Sequence, residues 1–285
     1  MKLGMILPQI EIGNDPAVIR DFAHAAEDLG FDHLVAFDHV LGANASSRKD
    51  WKGPYSHVDG FHEVFVLFGF LAACTSRIEL STQILILPQR QTALVAKQAA
   101  QVDLFSGGRL RLGVGVGWND VEFEALGEDF TNRGRRCDEQ IDVLRELWTN
   151  ELVTFDGRYH KITDAGLNPL PVQRPIPIWI GGEAEPVIRR TVRKADGWLP
   201  RVHGQYATGD GGEALVARFL KVCEEEGRDP KTLGLERWVH NLESGPEDWG
   251  RDIEHWRSLG GTHISLNTIG GGLVSPTEHM ETMRR

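Results

Sequence analysis

At one point in the chain a group that titrates near neutral pH stands directly beside a carboxylate at the end of an apolar run. This is Asp38-His39, which follows residues 31–37. Neighbours on an extended strand point to opposite sides, so one of the pair can face a pocket while the other anchors the strand end. A turn aspartate beside a surface histidine is the bland alternative. A second stretch, Arg109-Leu-Arg-Leu-Gly113-Val-Gly115-Val-Gly117-Trp118-Asn119, is a short apolar strand with glycine at every second position. Such a strand is bare on one face, which serves when a flat ligand or another backbone must come close. Packing of a glycine-rich loop under a helix is the competing reading.

Other chemistries lack their residues. Cys74, Cys137 and Cys223 are isolated, and no His, Asp or Glu cluster has metal-ligand spacing. His62-Glu63 has no second histidine four residues beyond the first, as a zinc-protease helix needs. No Gly-x-Ser-x-Gly elbow is present, and no lysine ends a strand-like run where a Schiff base would need it. Glycines, small polar groups and aromatics remain, a set that suits a planar cofactor carrying the reaction while the protein supplies shape and a proton relay. Gly181-Gly182-Glu183 closes another apolar run ahead of a helix and offers free N–H groups to an anion. Arg189, Arg190, Arg193 and Lys194 follow on that helix, as an anion-attracting cluster or as a solvated face.

The elements that must position these residues alternate. Apolar strand-like runs at 3–7, 31–37, 78–87, 109–115, 178–182, 197–199, 233–242 and 262–266 are separated by helical patterns. Asp156-Gly157 marks a hairpin between the fourth and fifth runs. Eight strand–helix units predict an α/β fold, a (β/α)8 TIM barrel forming one domain over residues 1–285, with insertion segments at its C-terminal face. Function in such barrels sits at the C-terminal strand ends, where Asp38-His39, Thr82-Gln83, residues 115–119 and Gly181-Gly182 all fall. Residues 42–60 are too long for an ordinary connection, and with residues 204–212 they are expected to line the substrate.

A net charge of −10 argues against a nucleic-acid or anionic-membrane surface, and no apolar run has transmembrane length. The lone cysteines and the lack of a signal-peptide pattern fit a cytoplasmic protein. The expected partner is a small-molecule substrate, and a homodimer is compatible with this reading.

In order, Phe37-Asp38-His39, Leu80-Ser-Thr82-Gln83-Ile84, residues 98–109, the glycine strand to Asn119, residues 133–139, and residues 177–182 with 195–198 resemble the luciferase-like monooxygenase superfamily. The resemblance is to its branch of oxidoreductases that use coenzyme F420, and it implies a flavin or deazaflavin lying in the barrel mouth. The ring would rest on a bulge of the third strand with a cis peptide at Gln83-Ile84. The resemblance implies a proton-transfer role for His39 and a place beside the ring for Asp38. It puts Thr82, Gln83, Ile84, Gly115, Gly117, Trp118, Asn119, Gly181 and Gly182 around the cofactor. Trp118 stands where sugar-phosphate dehydrogenase relatives carry a catalytic glutamate, so their substrate does not carry over. A serine-rich phosphate loop, common after the fifth strand in users of flavin mononucleotide (FMN), is replaced by residues 181–184, which favours F420. Hydride transfer between F420 and a small organic substrate is the resulting expectation. An FMN-dependent monooxygenase using oxygen is the alternative; a metal-assisted barrel hydrolase and a non-catalytic cofactor binder are the readings from other classes.

Overall fold

Short buried strands alternate with helices through the computed structural model, which describes residues 1–201, 212–240 and 246–285. The order is β1 (Lys2–Ile6), α1 (Pro16–Asp28), β2 (His33–Ala36), α2 (Val64–Cys74), β3 (Glu79–Thr82), β4 (Leu85–Ile86), α3 (Thr92–Ser106) and β5 (Leu110–Gly115). Then come α4 (Asp120–Ala125), α5 (Arg133–Thr149), a hairpin of β6 (Val153–Asp156) and β7 (Lys161–Ala165), β8 (Ile178–Gly181), α6 (Glu185–Lys194) and β9 (Gly197–Leu199). The chain ends with α7 (Glu213–Glu225), β10 (Gly234–His240), α8 (Pro246–Ser258), β11 (His263–Asn267) and α9 (Pro276–Thr282).

All strands but the hairpin pair in parallel, in the order β3-β2-β1-β11-β10-β9-β8-β5-β4. Pairing of β3 with β5 closes the ring, and β3 and β4 together make its third position. The expected (β/α)8 barrel is therefore the observed fold. Helix ends follow local chemistry: Asp15 caps α1 by accepting from the Ala17 N–H at 2.9 Å, with Pro16 in the first turn. Gly107 closes α3 in the left-handed region (φ 69°). Glu139 of α5 accepts from the N–H groups of Arg158, Tyr159 and His160 at 2.7 Å each and ties the hairpin turn to the barrel.

Two helices, α4 and α9, were not expected from the periodicity because both are short. In α9 the Ser275 hydroxyl accepts from Glu278 N–H behind Pro276, a cap legible only in hindsight. Residues 241–242 of the expected seventh strand and residues 204–211 of the second expected substrate loop lie outside the described residues.

The lower lumen holds a polar layer. His33 Nε2 lies 2.9 Å from both Glu236 Oε1 and Ser265 Oγ, and Arg111 donates to Glu236 and Glu79 at 2.6 Å each. Burial opposes the charge on Glu236, but Arg111 and His33 hold its carboxyl well below the usual range. The Arg111 guanidinium stacks 4.3 Å from the centre of the Trp179 ring. Room for these groups comes from glycine: a Cβ on Gly4 would lie 2.1 Å from His33 Nε2, and on Gly234 2.2 Å from Trp179.

Above this layer the third strand turns into the lumen at the cis peptide Gln83-Ile84. The alternating glycines answer that turn. A Cβ on Gly113 would lie 2.0 Å from the Thr82 carbonyl oxygen, on Gly115 2.6 Å from Ile84 Cδ1, and on Gly181 2.6 Å from Ile84 Cγ2. The expectation that a cofactor ring fills the bare face at Gly115 is thus corrected: the Ile84 side chain fills it. Another backbone does come close, at Gly113.

Gly115→Ala should destabilise the cofactor-free protein by about 1–3 kcal/mol through overpacking, because Ile84 is wedged between Gly115 and Gly181 and has little room to turn. Adding Ile84→Ala should recover part of that loss in thermal unfolding; strictly additive losses would show that the two sites do not meet. At the layer below, burial and then Arg111 pull His263 down to about 3, against about 6.5 in an unfolded chain. The unfolded chain then takes up the proton first, so this contribution is complete above about pH 6.5 and drains as pH falls toward 3. His263→Asn should flatten the decline of the melting midpoint across pH 6 to 4; an unchanged slope overturns the assignment.

Candidate active site

Asp38 and His39 follow β2 directly and diverge. The Asp38 carboxylate is buried, accepts from Arg90 at 2.6 Å and from the Ile86 N–H at 3.0 Å, and so binds the end of β2 to β4 and the segment after it. Arg90 also donates to Glu63 at 2.9 Å, just ahead of α2. Burial pushes the Asp38 carboxyl up from its ordinary value, against the pull of Arg90. With both oxygens engaged in this way, the carboxylate serves as an anchor.

His39 points the other way. Its Nδ1 lies 3.1 Å from Glu122 Oε2, and the second Glu122 oxygen accepts from the N–H groups of Val40 at 2.7 Å and Leu41 at 3.3 Å. Glu122 is fully buried, so it fixes the imidazole from behind, with Nδ1 facing the carboxylate. No described residue hydrogen-bonds Nε2.

Glu122 was not anticipated. Asn119-x-x-Glu122 has the spacing of a helix-capping box, which suggests local use. Asn119 does cap α4, yet its side chain makes no capping bond and its buried Oδ1 has no partner. The glutamate reaches across to His39 instead. Trp118 lies four residues before it, just ahead of α4.

Aromatic rings surround His39. Phe61 is 4.7 Å away between ring centres, Tyr55 5.3 Å and Trp118 5.8 Å, all edge-on. Burial, with Asp59 second, pushes the Tyr55 phenol up to about 12. These rings, His39 and Asn119 border a cavity of about 390 Å³, and residues 55–61 form one wall. Part of the 42–60 segment therefore lies where a substrate loop was expected.

The remaining expected site residues fall into separate groups. Thr82 is buried and donates to the Gly113 carbonyl at 2.7 Å; Ile84, Gly115 and Gly181 form the packed seam described above. Gly117 (φ 71°) leaves room for Ile86, 2.6 Å from where its Cβ would stand. Gly182 (φ 122°) accepts from Trp198 Nε1 at 2.8 Å through its carbonyl. The buried Gln83 accepts from Trp238 Nε1, and its own Nε2 has no partner. Gln9 donates to the Phe37 carbonyl at 3.1 Å while its Oε1 is unpartnered, and Phe37 packs 5.1 Å from Trp238. Buried polar atoms without partners at a barrel mouth are open to a ligand.

The basic residues of α6 do not form an anion site. Arg189 and Arg193 pair with Glu225 of α7 and Glu226 just beyond it, Arg190 with Asp138 and Lys194 with Asp142 of α5. Of the two readings of that cluster, neither the anion-attracting one nor a merely solvated face describes it; the cations tie neighbouring helices together. Among the described residues no three His, Cys, Asp or Glu are grouped to hold a metal ion, and no helix is long and apolar enough to cross a membrane.

A closed parallel barrel with an inturned third strand and a polar, aromatic mouth is a (β/α)8 barrel of the luciferase-like fold. The chain belongs to the luciferase-like monooxygenase family, whose model matches residues 2–240. An uncharacterized protein of Mycobacterium tuberculosis is 38% identical over 242 residues, covering 81% of this chain and 79% of its own length. The F420-dependent glucose-6-phosphate dehydrogenase of Amycolatopsis mediterranei is 28% identical over 276 residues, covering 94% of this chain and 76% of its own. Among solved structures, monooxygenase RslO1 of Streptomyces bottropensis matches with a TM-score of 0.77 at 19% identity, over 100% of this chain and 97% of that one.

The two carboxylates generate a contrast in stability. Asp38→Ala strands Arg90 with only its Glu63 contact and should cost about 3 kcal/mol in urea unfolding. Glu122→Gln keeps an oxygen for the Val40 and Leu41 N–H groups and should cost less than Glu122→Ala, which leaves them all unpaired. If Asp38→Ala weakens cofactor binding at unchanged stability, its carboxylate is a ligand contact and not an anchor.

Proposed function

We propose that this protein is an oxidoreductase that moves a hydride between coenzyme F420, bound in the barrel mouth, and a small organic substrate held over His39. The observation that carries this reading is the buried Glu122 carboxylate behind His39, with the open face of the imidazole turned to the cavity. Such an arrangement orients a proton donor without exposing the group that orients it.

The residues at the mouth fit a deazaflavin. Gln83 Nε2, Gln9 Oε1 and Asn119 Oδ1 are buried donor and acceptor atoms without partners, suited to the carbonyl and N–H edge of such a ring. When bound in its reduced form, the coenzyme supplies the hydride. His39 Nε2 supplies the proton that accompanies it, so a C=O or C=C bond gains one hydride and one proton and the substrate is reduced by two electrons. Glu122, 3.1 Å from Nδ1, holds the ring so that Nε2 faces the substrate. Ile84 and the aromatic wall exclude water from the reacting face.

Support for F420 over FMN comes from the relative of Amycolatopsis mediterranei, whose name gives it that coenzyme, and from the missing serine-rich loop after β8. The cations of α6, committed to α5 and α7, lend no support. An FMN monooxygenase is the second reading, favoured by the family's own description and by the Streptomyces bottropensis neighbour.

Fluorescence titration with both cofactors tests the choice: F420 should bind at least tenfold more tightly, and tighter FMN binding moves the monooxygenase reading to first place. His39→Gln should lower turnover about 10²- to 10⁴-fold while changing the F420 Kd less than threefold. Full activity in that variant removes His39 from the chemistry.

A further inference from the structure

Resting on the oxidoreductase reading, we propose that the substrate is a neutral, planar conjugated carbonyl compound and not a phosphorylated sugar. Among the described residues no lysine or arginine lines the cavity over His39, and the one carboxylate in its wall is Asp59. Arg90, on the β2 side, is bound by Asp38 and Glu63, and Arg201 beyond β9 pairs with Glu183. Arg48, Lys49 and Lys52 of the 42–60 segment are exposed and lie outside the lining. In sequence, residues 202–211 and 241–245 contain no lysine or arginine. A dianionic phosphate placed here would lose its hydration beside Asp59, with Glu122 behind His39 and no lysine or arginine to replace the water.

The lining that is present suits a flat uncharged molecule. Phe61, Tyr55 and Trp118 converge on His39, and Tyr55 and Phe61 pack against each other at 4.8 Å. Trp118 remains 38% exposed, and Trp51 backs its ring at 5.6 Å. Gly53 presses so close that a Cβ would lie 2.3 Å from the Trp118 ring. Held on that side, Trp118 offers a fixed plate for stacking. Tyr55 keeps its phenol proton throughout the neutral range and can donate it to a carbonyl. A volume of about 390 Å³ is at the small end for ligand pockets, which commonly run from roughly 300 to 1,000 Å³.

Benzylideneacetone, a neutral conjugated ketone, and glucose 6-phosphate are the probes. Binding is read by ligand-observed NMR on the full chain without cofactor. The ketone is expected to bind at least tenfold more tightly than the sugar phosphate. Tyr55→Ala should weaken the ketone at least fivefold with the F420 Kd within twofold of wild type, and Ser56→Arg should gain at least fivefold in affinity for glucose 6-phosphate. Sugar-phosphate binding equal to or tighter than that of the ketone, or no measurable ketone binding, overturns the proposal. A failure of the F420 reading appears separately, as tighter FMN binding in the cofactor titration, and leaves the ligand preference of the cofactor-free protein intact.

Discussion

The mouth of this barrel depends on one side chain sitting where a barrel normally has none to spare. Ile84 enters the upper lumen because β3 and β4 do not form a continuous strand, and its branches occupy the volume that Gly115 and Gly181 leave empty. The Thr82 carbonyl takes the space at Gly113 in the same way, and the Thr82 hydroxyl donates back to the Gly113 carbonyl at 2.7 Å. Three glycines on two strands are therefore one packing solution for a strand that turns inward. A Cβ at any of them would meet an atom of the third strand at 2.6 Å or less. The turn puts Gln83 against Trp238 and leaves a partnerless amide nitrogen at the mouth.

The two ends of the lumen divide the work. Toward the N-terminal ends of the strands, Arg111, Glu236, Glu79, His33 and Ser265 bond one another, with only His33 Nδ1 and Arg111 Nη2 of that network unpartnered among the described residues. Buried charges are tolerable in such a layer because each has an opposite partner at hydrogen-bond distance. Toward the C-terminal ends the polar atoms are left over: Gln9 Oε1, Gln83 Nε2 and Asn119 Oδ1 are buried without partners. The floor is dominated by ion pairs and the mouth by neutral amides, the end at which strand direction in a parallel barrel places function.

Much of this was legible in the sequence, for definable reasons. The eight apolar runs and their order needed only periodicity and turn residues, and Asp156-Gly157 did mark the hairpin. The divergence of Asp38 and His39 needed only the alternation of an extended chain. What the sequence does not carry is the partner across space. Arg90 is 52 residues from Asp38, and Glu122 is 83 residues from His39. Arg189, Arg190, Arg193 and Lys194 look like a cationic site only while Asp138, Asp142, Glu225 and Glu226 are out of view. The glycines misled in the opposite direction: absence of a side chain shows that something comes close, but not whether it is a ligand or the protein itself.

Taken together, the pairs explain why adjacent residues can have separate functions without interfering. Asp38 is held by Arg90 and Ile86 N–H, so the end of β2 is fixed to the inturned strand. His39 is then delivered to the same place whatever the outer loop does, and Glu122 sets its rotation from a helix on the far side of the glycine strand. The aromatic wall comes mainly from residues 55–61, a segment that supplies none of these anchors. A change in that wall can alter what fits above His39 while leaving the position of its imidazole untouched. In the proposed reading, selectivity and proton delivery thus rest on different parts of the chain, the first on a long connection and the second on the strand end and its buried carboxylates.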